Sequence, residues 1–326
     1  MAGHVLERSN GQRFVMKGVT VYMLPFYVRD GSIPPELAAV TTPEYRDRSR
    51  VFSTIRSDGA NAVRIPLSSA FYRWVAGAPG GQKGYLRHLR AVVEAAIHQH
   101  LVVDLTWWDS LGAGRQLPEL YRQWLPMMGT VERMLAKVPG VVYEPFNEPH
   151  DIGWASWEQV SAGELRYWRQ RLGYRGPLLL DTIDYSWSFD PRVATDLLRL
   201  DKHLNGSADV LFANHRYANA STCFCGAERR EWQGGVGTYV GRFPILGTEY
   251  GNFDHQGPPQ PRWDRQFLTY LSQHAIPHGL NGAMFFVWRW IDPNSMTTAG
   301  TARLTSWGRI VEQDVLSHRL AQSHRS

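Results

Sequence analysis

The sequence predicts an α/β protein whose parallel βαβ units close as an eight-stranded (β/α)8 TIM barrel. Three observations carry this. Short, nearly continuous apolar runs recur along the chain, as strands buried on both faces require. Stretches with helical spacing separate most of them, which argues for parallel βαβ units rather than hairpins. The count of such runs reaches eight. A doubly wound open sheet would want a glycine-rich phosphate turn after its first strand, and KGVTVYML at 17–24 is not one. The expected organisation is a single domain over 1–326, since barrels of roughly 250 residues or more fold as one unit.

The elements follow in order. RFVMKGV (13–19) is the first strand. TPEYRDRSRVFSTIRSDG (42–59) has helical spacing and a glycine stop. NAVRIP (61–66) is the second strand, YLRHLRAVVEAAIHQH (85–100) a helix and LVVDLTWW (101–108) the third strand. A helix over 117–136 leads to VVYEPF (141–146), and an amphipathic helix over 157–171 leads to PLLLDT (177–182). DPRVATDLLRL (190–200) is a helix and DVLFANH (209–215) the sixth strand. A long irregular section precedes FPILGTEY (243–250). RWDRQFLTYLSQHA (262–275) is a helix, GAMFFVW (282–288) the last strand, and a final helix falls within 305–322. Three long loops, 20–41, 216–242 and 291–304, all follow strands. In a barrel such loops wall the catalytic face.

Composition excludes several classes. Apolar residues make up 43% of the chain, a globular share. No apolar run approaches the roughly 20 residues of a membrane span. The 35 basic and 30 acidic residues give a formal charge of +5, but the basic ones are dispersed apart from His318, Arg319, His324 and Arg325. Nucleic-acid binding would want a basic stripe with interleaved aromatics, which is missing, so no nucleic-acid or membrane partner is expected. MAGHVLERSNGQRF (1–14) is too polar for a signal peptide, so the expectation is a cytoplasmic protein, or a secreted one whose leader has been removed. Cys223 and Cys225, the two cysteines, read as ordinary thiols in a loop; nearby histidines do not complete a zinc pattern. His98 and His100 fall at a helix end, where surface or capping roles are expected.

The chemistry lies just past the strands. Strand two carries Arg64. Strand three ends with Asp104, Thr106, Trp107 and Trp108, strand four with Asn147 and Glu148, and strand five with Asp181 and Asp184. Strand six supplies His215 and Tyr217, strand seven Glu249 and strand eight Trp288. Polar residues at these C-terminal ends read as catalytic. Glu148 and Glu249 come from strands on nearly opposite sides, so their side chains converge over the axis. Two converging carboxylates are the minimum equipment of glycoside hydrolysis, one protonated and one ionised. Glu144 and Asp104 are expected to support Arg64. Thirteen tryptophans suit a sugar cleft, whose pyranose rings stack on flat apolar faces. For Trp154, Trp157, Trp187 and Trp290 both lining and packing remain open.

From GQRFVMKGV (11–19) to FFVW (285–288) the chain resembles glycoside hydrolase family 5, the cellulase-like retaining (β/α)8 enzymes. NAVRIP matches the second strand with its arginine, FNEP the Asn-Glu-Pro signature, NHRY the His-x-Tyr of strand six, LGTEYG the nucleophile strand and FFVW the eighth. The resemblance implies Glu148 as acid/base, Glu249 as nucleophile, Asn147 on the sugar 2-hydroxyl, and Arg64, His215, Tyr217 and a Trp288 platform lining the site. Trp107 and Trp108, at the end of strand three, are also expected to bind substrate. Thr106 departs from the pattern, which usually has histidine there. The implied activity is hydrolysis of a β-glucan or β-mannan type of glycan with retention. A transglycosylase using the same residues and a non-catalytic sugar-binding barrel are the alternatives. A carbohydrate is the expected partner, and neither metal nor organic cofactor is required.

Overall fold

A computed structural model describes residues 5–22, 47–77, 80–108, 117–218, 223–252, 260–288, 295–298 and 303–317, with 117–120 as backbone only. Eight strands close a barrel in sequence order, β1 (Met16–Thr20), β2 (Ala62–Leu67), β3 (Val102–Trp107), β4 (Val141–Glu144), β5 (Leu178–Asp181), β6 (Val210–Arg216), β7 (Ile245–Tyr250) and β8 (Gly282–Phe285). Every neighbouring pair is parallel, and β8 closes on β1 through Met16 opposite Gly282. All eight predicted strands are present.

The helices are α1 (Arg48–Ser57), α2 (Ser69–Trp74), α3 (Gly81–His98), α4 (Leu117–Leu135), α5 (Trp154–Arg166), α6 (Pro191–Asn205), α7 (Gly226–Gly234), α8 (Pro261–Tyr270) and α9 (Ser306–Val311). Local chemistry sets their ends. Asp190 accepts from the backbone N–H groups of Arg192 and Val193 ahead of Pro191, and Gly206 at φ 83° ends α6 in a left-handed cap. Helices α2 and α7 lie in stretches that the sequence pattern leaves irregular. Among the described residues no helix is long and apolar enough to cross a membrane.

Period-two alternation divides each strand between two environments. Outward residues such as Val63, Ile65, Val103 and Leu105 join the core under the helices. Inward residues at the N-terminal end, including Met16, Val142, Leu179, Leu211, Leu246 and Met284, form a second apolar cluster, and Leu6 and Phe14 pack into it. One layer further along, the same inward phase carries Arg64, Asp104, Thr106, Glu144, Asp181 and His215, all buried. The barrel is therefore dry and apolar at one end and charged at the other.

Cys223 and Cys225 are joined as a disulfide, which corrects the expectation of two free thiols. The turn into α7 brings their Cα atoms to 5.3 Å, inside bridging range. Most of loop 20–41, residues 219–222 of the sixth-strand loop, most of loop 291–304 with Trp290, and the basic tail from His318 lie outside the described residues.

Candidate active site

Arg64 is the hub. It is fully buried on β2, and its fork engages four partners. Nε donates to Glu144 at 2.7 Å, Nη1 to Glu249 at 2.6 Å, and Nη2 to Asn147 at 2.5 Å and to Thr106 at 3.3 Å. A rigid planar donor set serves so many acceptors where an ammonium could not. Asp104 approaches the same guanidinium at 3.9 Å. The expected support of Arg64 by Glu144 and Asp104 is thus observed, and the Thr106 hydroxyl also faces Arg64.

Besides Glu249, the carboxyl groups of Glu144, Asp104 and Asp181 surround this cation, and they do not share one state. Burial would raise Glu144, but Arg64 and hydrogen bonds from Asp181 and Arg64 outweigh it and hold its pKa at about 2. Burial and the charge on Glu144 push Asp104 and Asp181 well above the usual carboxylate range. One ionised glutamate with two neutral aspartic acids around it balances Arg64.

Glu249 reaches the interior through an irregularity. Between β6 and β7 the register runs from Asn214 opposite Gly247 to His215 opposite Glu249, so Thr248 is an extra residue. The bulge lets Thr248 and Glu249 both contact interior groups. Thr248 meets His215 Nε2 at 3.0 Å, while Glu249 meets Arg64 and accepts a short hydrogen bond from the Tyr217 hydroxyl. Gly247 is required here, because a Cβ would lie 2.3 Å from the Tyr250 ring. Burial raises the Glu249 pKa, and His215, Arg64 and Tyr217 act against that rise.

Glu148 stands across from it with a different environment. Its backbone is left-handed, φ 50°, and its N–H donates to Asp181 at 2.7 Å. Its Oε1 lies 2.7 Å from His215 Nδ1, and its side chain keeps 20% exposure against 6% for Glu249. Burial raises its pKa to about 7, with Arg64 and His150 opposing. Burial likewise lowers His215 to about 4, so the imidazole that touches Glu148 is neutral near pH 7. One oxygen of Glu148, one of Glu249 and a nitrogen of His215 lie within 4.8 Å of one another. Glu144, Asp181 and His215 form a second close group of potential metal ligands. Side chains of both groups also bond Arg64, Tyr217, Thr248 and the Glu148 N–H.

The aromatic expectations divide. Trp108 is half-buried beside the site: Arg64 lies 5.7 Å from its ring centre, and it stacks on Phe286 at 5.9 Å and 18°. Trp107 does not line the site. It follows inward Asp104 and Thr106 in the alternation, so it points outward, is fully buried, and packs on Tyr143 and Trp168. Trp288 is 3% exposed and belongs to the main core, which removes the accessible face a sugar platform needs. The ring from the end of β8 that meets the site is Phe286, packed against Tyr217, Trp108 and Tyr22. Phe286 and Tyr22 were missed; their position just past β8 and β1 was the available signal. Trp157 is core, its indole donating to the Asp181 carbonyl at 2.8 Å, with half-buried Trp154 edge-on to it. Trp187 packs under Arg216 at 4.5 Å.

The fold extends to distant solved structures. The catalytic domain of a mannanase from Streptomyces sp. SirexAA-E superposes with a TM-score of 0.70 at 17% identity, covering 99% of this chain and 92% of that one. A β-mannanase from Streptomyces thermolilacinus with mannohexaose gives 0.68 at 20%, over 97% and 93%. The catalytic domain of an endoglucanase from Thermobifida fusca gives 0.68 at 15%, over 96% and 95%. No curated protein sequence matches the chain. The family model for cellulase, glycosyl hydrolase family 5, matches residues 28–285, most of the chain, and on that match the protein belongs to glycosyl hydrolase family 5.

Proposed function

We propose that this glycoside hydrolase cleaves β-linked mannan- or glucan-type chains by double displacement with retention. The observation that carries the proposal is the approach of a Glu148 oxygen and a Glu249 oxygen to within 4.8 Å. Retaining enzymes hold their carboxyl groups roughly 5–5.5 Å apart, whereas inverting ones leave roughly 6.5–9.5 Å for a water. The substrate class draws support from the mannanases and endoglucanases that share the fold.

In the first step Glu249 attacks the anomeric carbon while Glu148 protonates the departing glycosidic oxygen. Burial keeps that proton on Glu148 up to about pH 7. Arg64 and Tyr217 hold the attacking carboxylate in place and favour its charge. In the second step Glu148, now a base, takes a proton from water, which displaces Glu249. Its partial exposure gives that water access. Neutral His215 fixes the Glu148 carboxyl through both roles without competing for its proton.

The test is hydrolysis of β-mannan and β-glucan oligosaccharides with product anomers followed by NMR, beside aryl β-mannoside, β-glucoside and cellobioside. The expected result is release with the β-anomer formed first. Sugar binding without any hydrolysis would overturn it.

A further inference from the structure

The exposed ring of Tyr185 is the feature of the catalytic face that the mechanism leaves unused. Of the described residues only Tyr185, at 50%, and Trp74 are large hydrophobic side chains with high exposure. One face of Tyr185 is covered by His150, stacked at 4.5 Å between centres with planes 6° apart. Half of the residue's surface nevertheless stays exposed.

The backbone that presents this ring is unusual. Asp184, Tyr185 and Ser186 take φ values of 56°, 58° and 60° in succession, without a glycine. Consecutive left-handed residues are costly for side chains with a Cβ and persist only where the surroundings impose them. Here buried Asn214 on β6 donates its amide to the Ser186 carbonyl at 2.8 Å, and the Tyr185 N–H donates to the Pro149 carbonyl at 3.2 Å. Asp184 accepts from Ser188 at 2.5 Å. The His150 Nδ1 in turn lies 3.0 Å from the Glu148 carbonyl. The ring is thus tied through two residues of backbone to Glu148.

Its place around the barrel fixes which part of a glycan it meets. Tyr22, Arg64, Trp108 and Phe286 crowd the ends of β1, β2, β3 and β8, on one side of the carboxylate pair. Tyr185 and His150 follow β5 and β4, on the other side, next to the group that protonates the leaving oxygen. We propose that the Tyr185–His150 stack is a platform for the pyranose on the leaving-group side of the cleaved bond. This rests on the assignment of Glu148 as the acid.

The test uses the full chain and two substrates of one sugar: a β-linked tetrasaccharide, and the glycosyl fluoride, whose leaving group carries no ring. Tyr185→Asn removes the ring while tolerating the left-handed backbone, and Tyr185→Phe keeps the ring. The expected result is a fall of about tenfold in the tetrasaccharide-to-fluoride ratio of kcat/KM for Tyr185→Asn, the size of one lost aromatic contact, with KM carrying the change. The Phe variant keeps the wild-type ratio. An unchanged ratio in Tyr185→Asn, including an equal loss on both substrates, overturns the platform while leaving the hydrolase reading intact. A wild-type protein inactive on both substrates overturns the two together.

Discussion

Arg64 Nη1 lies 2.6 Å from Glu249 Oε2 while the same guanidinium donates to Glu144 at 2.7 Å, so one buried cation is shared between two carboxylates. Removing it strands both. Arg64→Met is expected to cost roughly 3–5 kcal/mol of stability, because breaking a buried ion pair leaves its partners uncompensated. Arg64→Lys is expected to fold better yet lose about a hundredfold or more in kcat, since a point charge cannot serve four acceptors. Thermal unfolding and steady-state rates on the same preparations separate the two effects. A lysine variant with wild-type kcat would contradict the hub.

Tyr217 supplies the other hydrogen bond to Glu249. Tyr217→Phe is expected to lower kcat/KM about a hundredfold, the scale of one lost donor to a reacting group. The bond also opposes the burial that raises the Glu249 pKa, so its loss moves the acid limb of the rate profile to higher pH. A profile with the same acid limb as wild type would speak against this contact.

On the proposed mechanism the basic limb belongs to Glu148. Protonated it donates, ionised it cannot, and burial places its pKa at about 7. kcat/KM is therefore expected to fall as pH rises through about 7. On the acid side activity falls as Glu249 takes up a proton, above the ordinary glutamate value because burial raises it too. The measurement is kcat/KM against pH with an aryl glycoside. A plateau extending beyond pH 9 would remove Glu148 from the acid role.

Trp107 tests the division between core and cleft. Trp107→Ala is expected to destabilise by roughly 3–5 kcal/mol, the usual cost of emptying a buried aromatic site, while Trp107→Phe keeps KM. Phe286→Ala is expected to raise KM with little loss of stability, because its half-buried ring meets Tyr217 and Trp108. Oligosaccharide titration and melting curves check both; a KM effect confined to Trp107 would reverse the assignment.

These contrasts show where sequence carries structure and where it stops. The strands were legible because burial on both faces leaves apolar runs, interrupted where the inward phase turns polar, as at Arg64, Asp104, Glu144, Asp181 and His215. Glu148 and Glu249 were legible as polar residues at strand ends. Trp107 was misread although the alternation from Asp104 and Thr106 already pointed it outward. Trp288 was misread for the opposite reason: β8 ends at Phe285, and past that point no period fixes which ring turns inward. The bulge at Thr248 and the left-handed run at 184–186 leave no mark in composition, since tertiary contacts from His215 and Asn214 impose them.

The most direct measurement is to trap the covalent intermediate. Incubation with a 2-deoxy-2-fluoro glycosyl fluoride, followed by proteolysis and mass spectrometry, is expected to place one sugar on the peptide containing Glu249. A label on Glu148, or turnover of natural substrate with the α-anomer released first, would contradict the account.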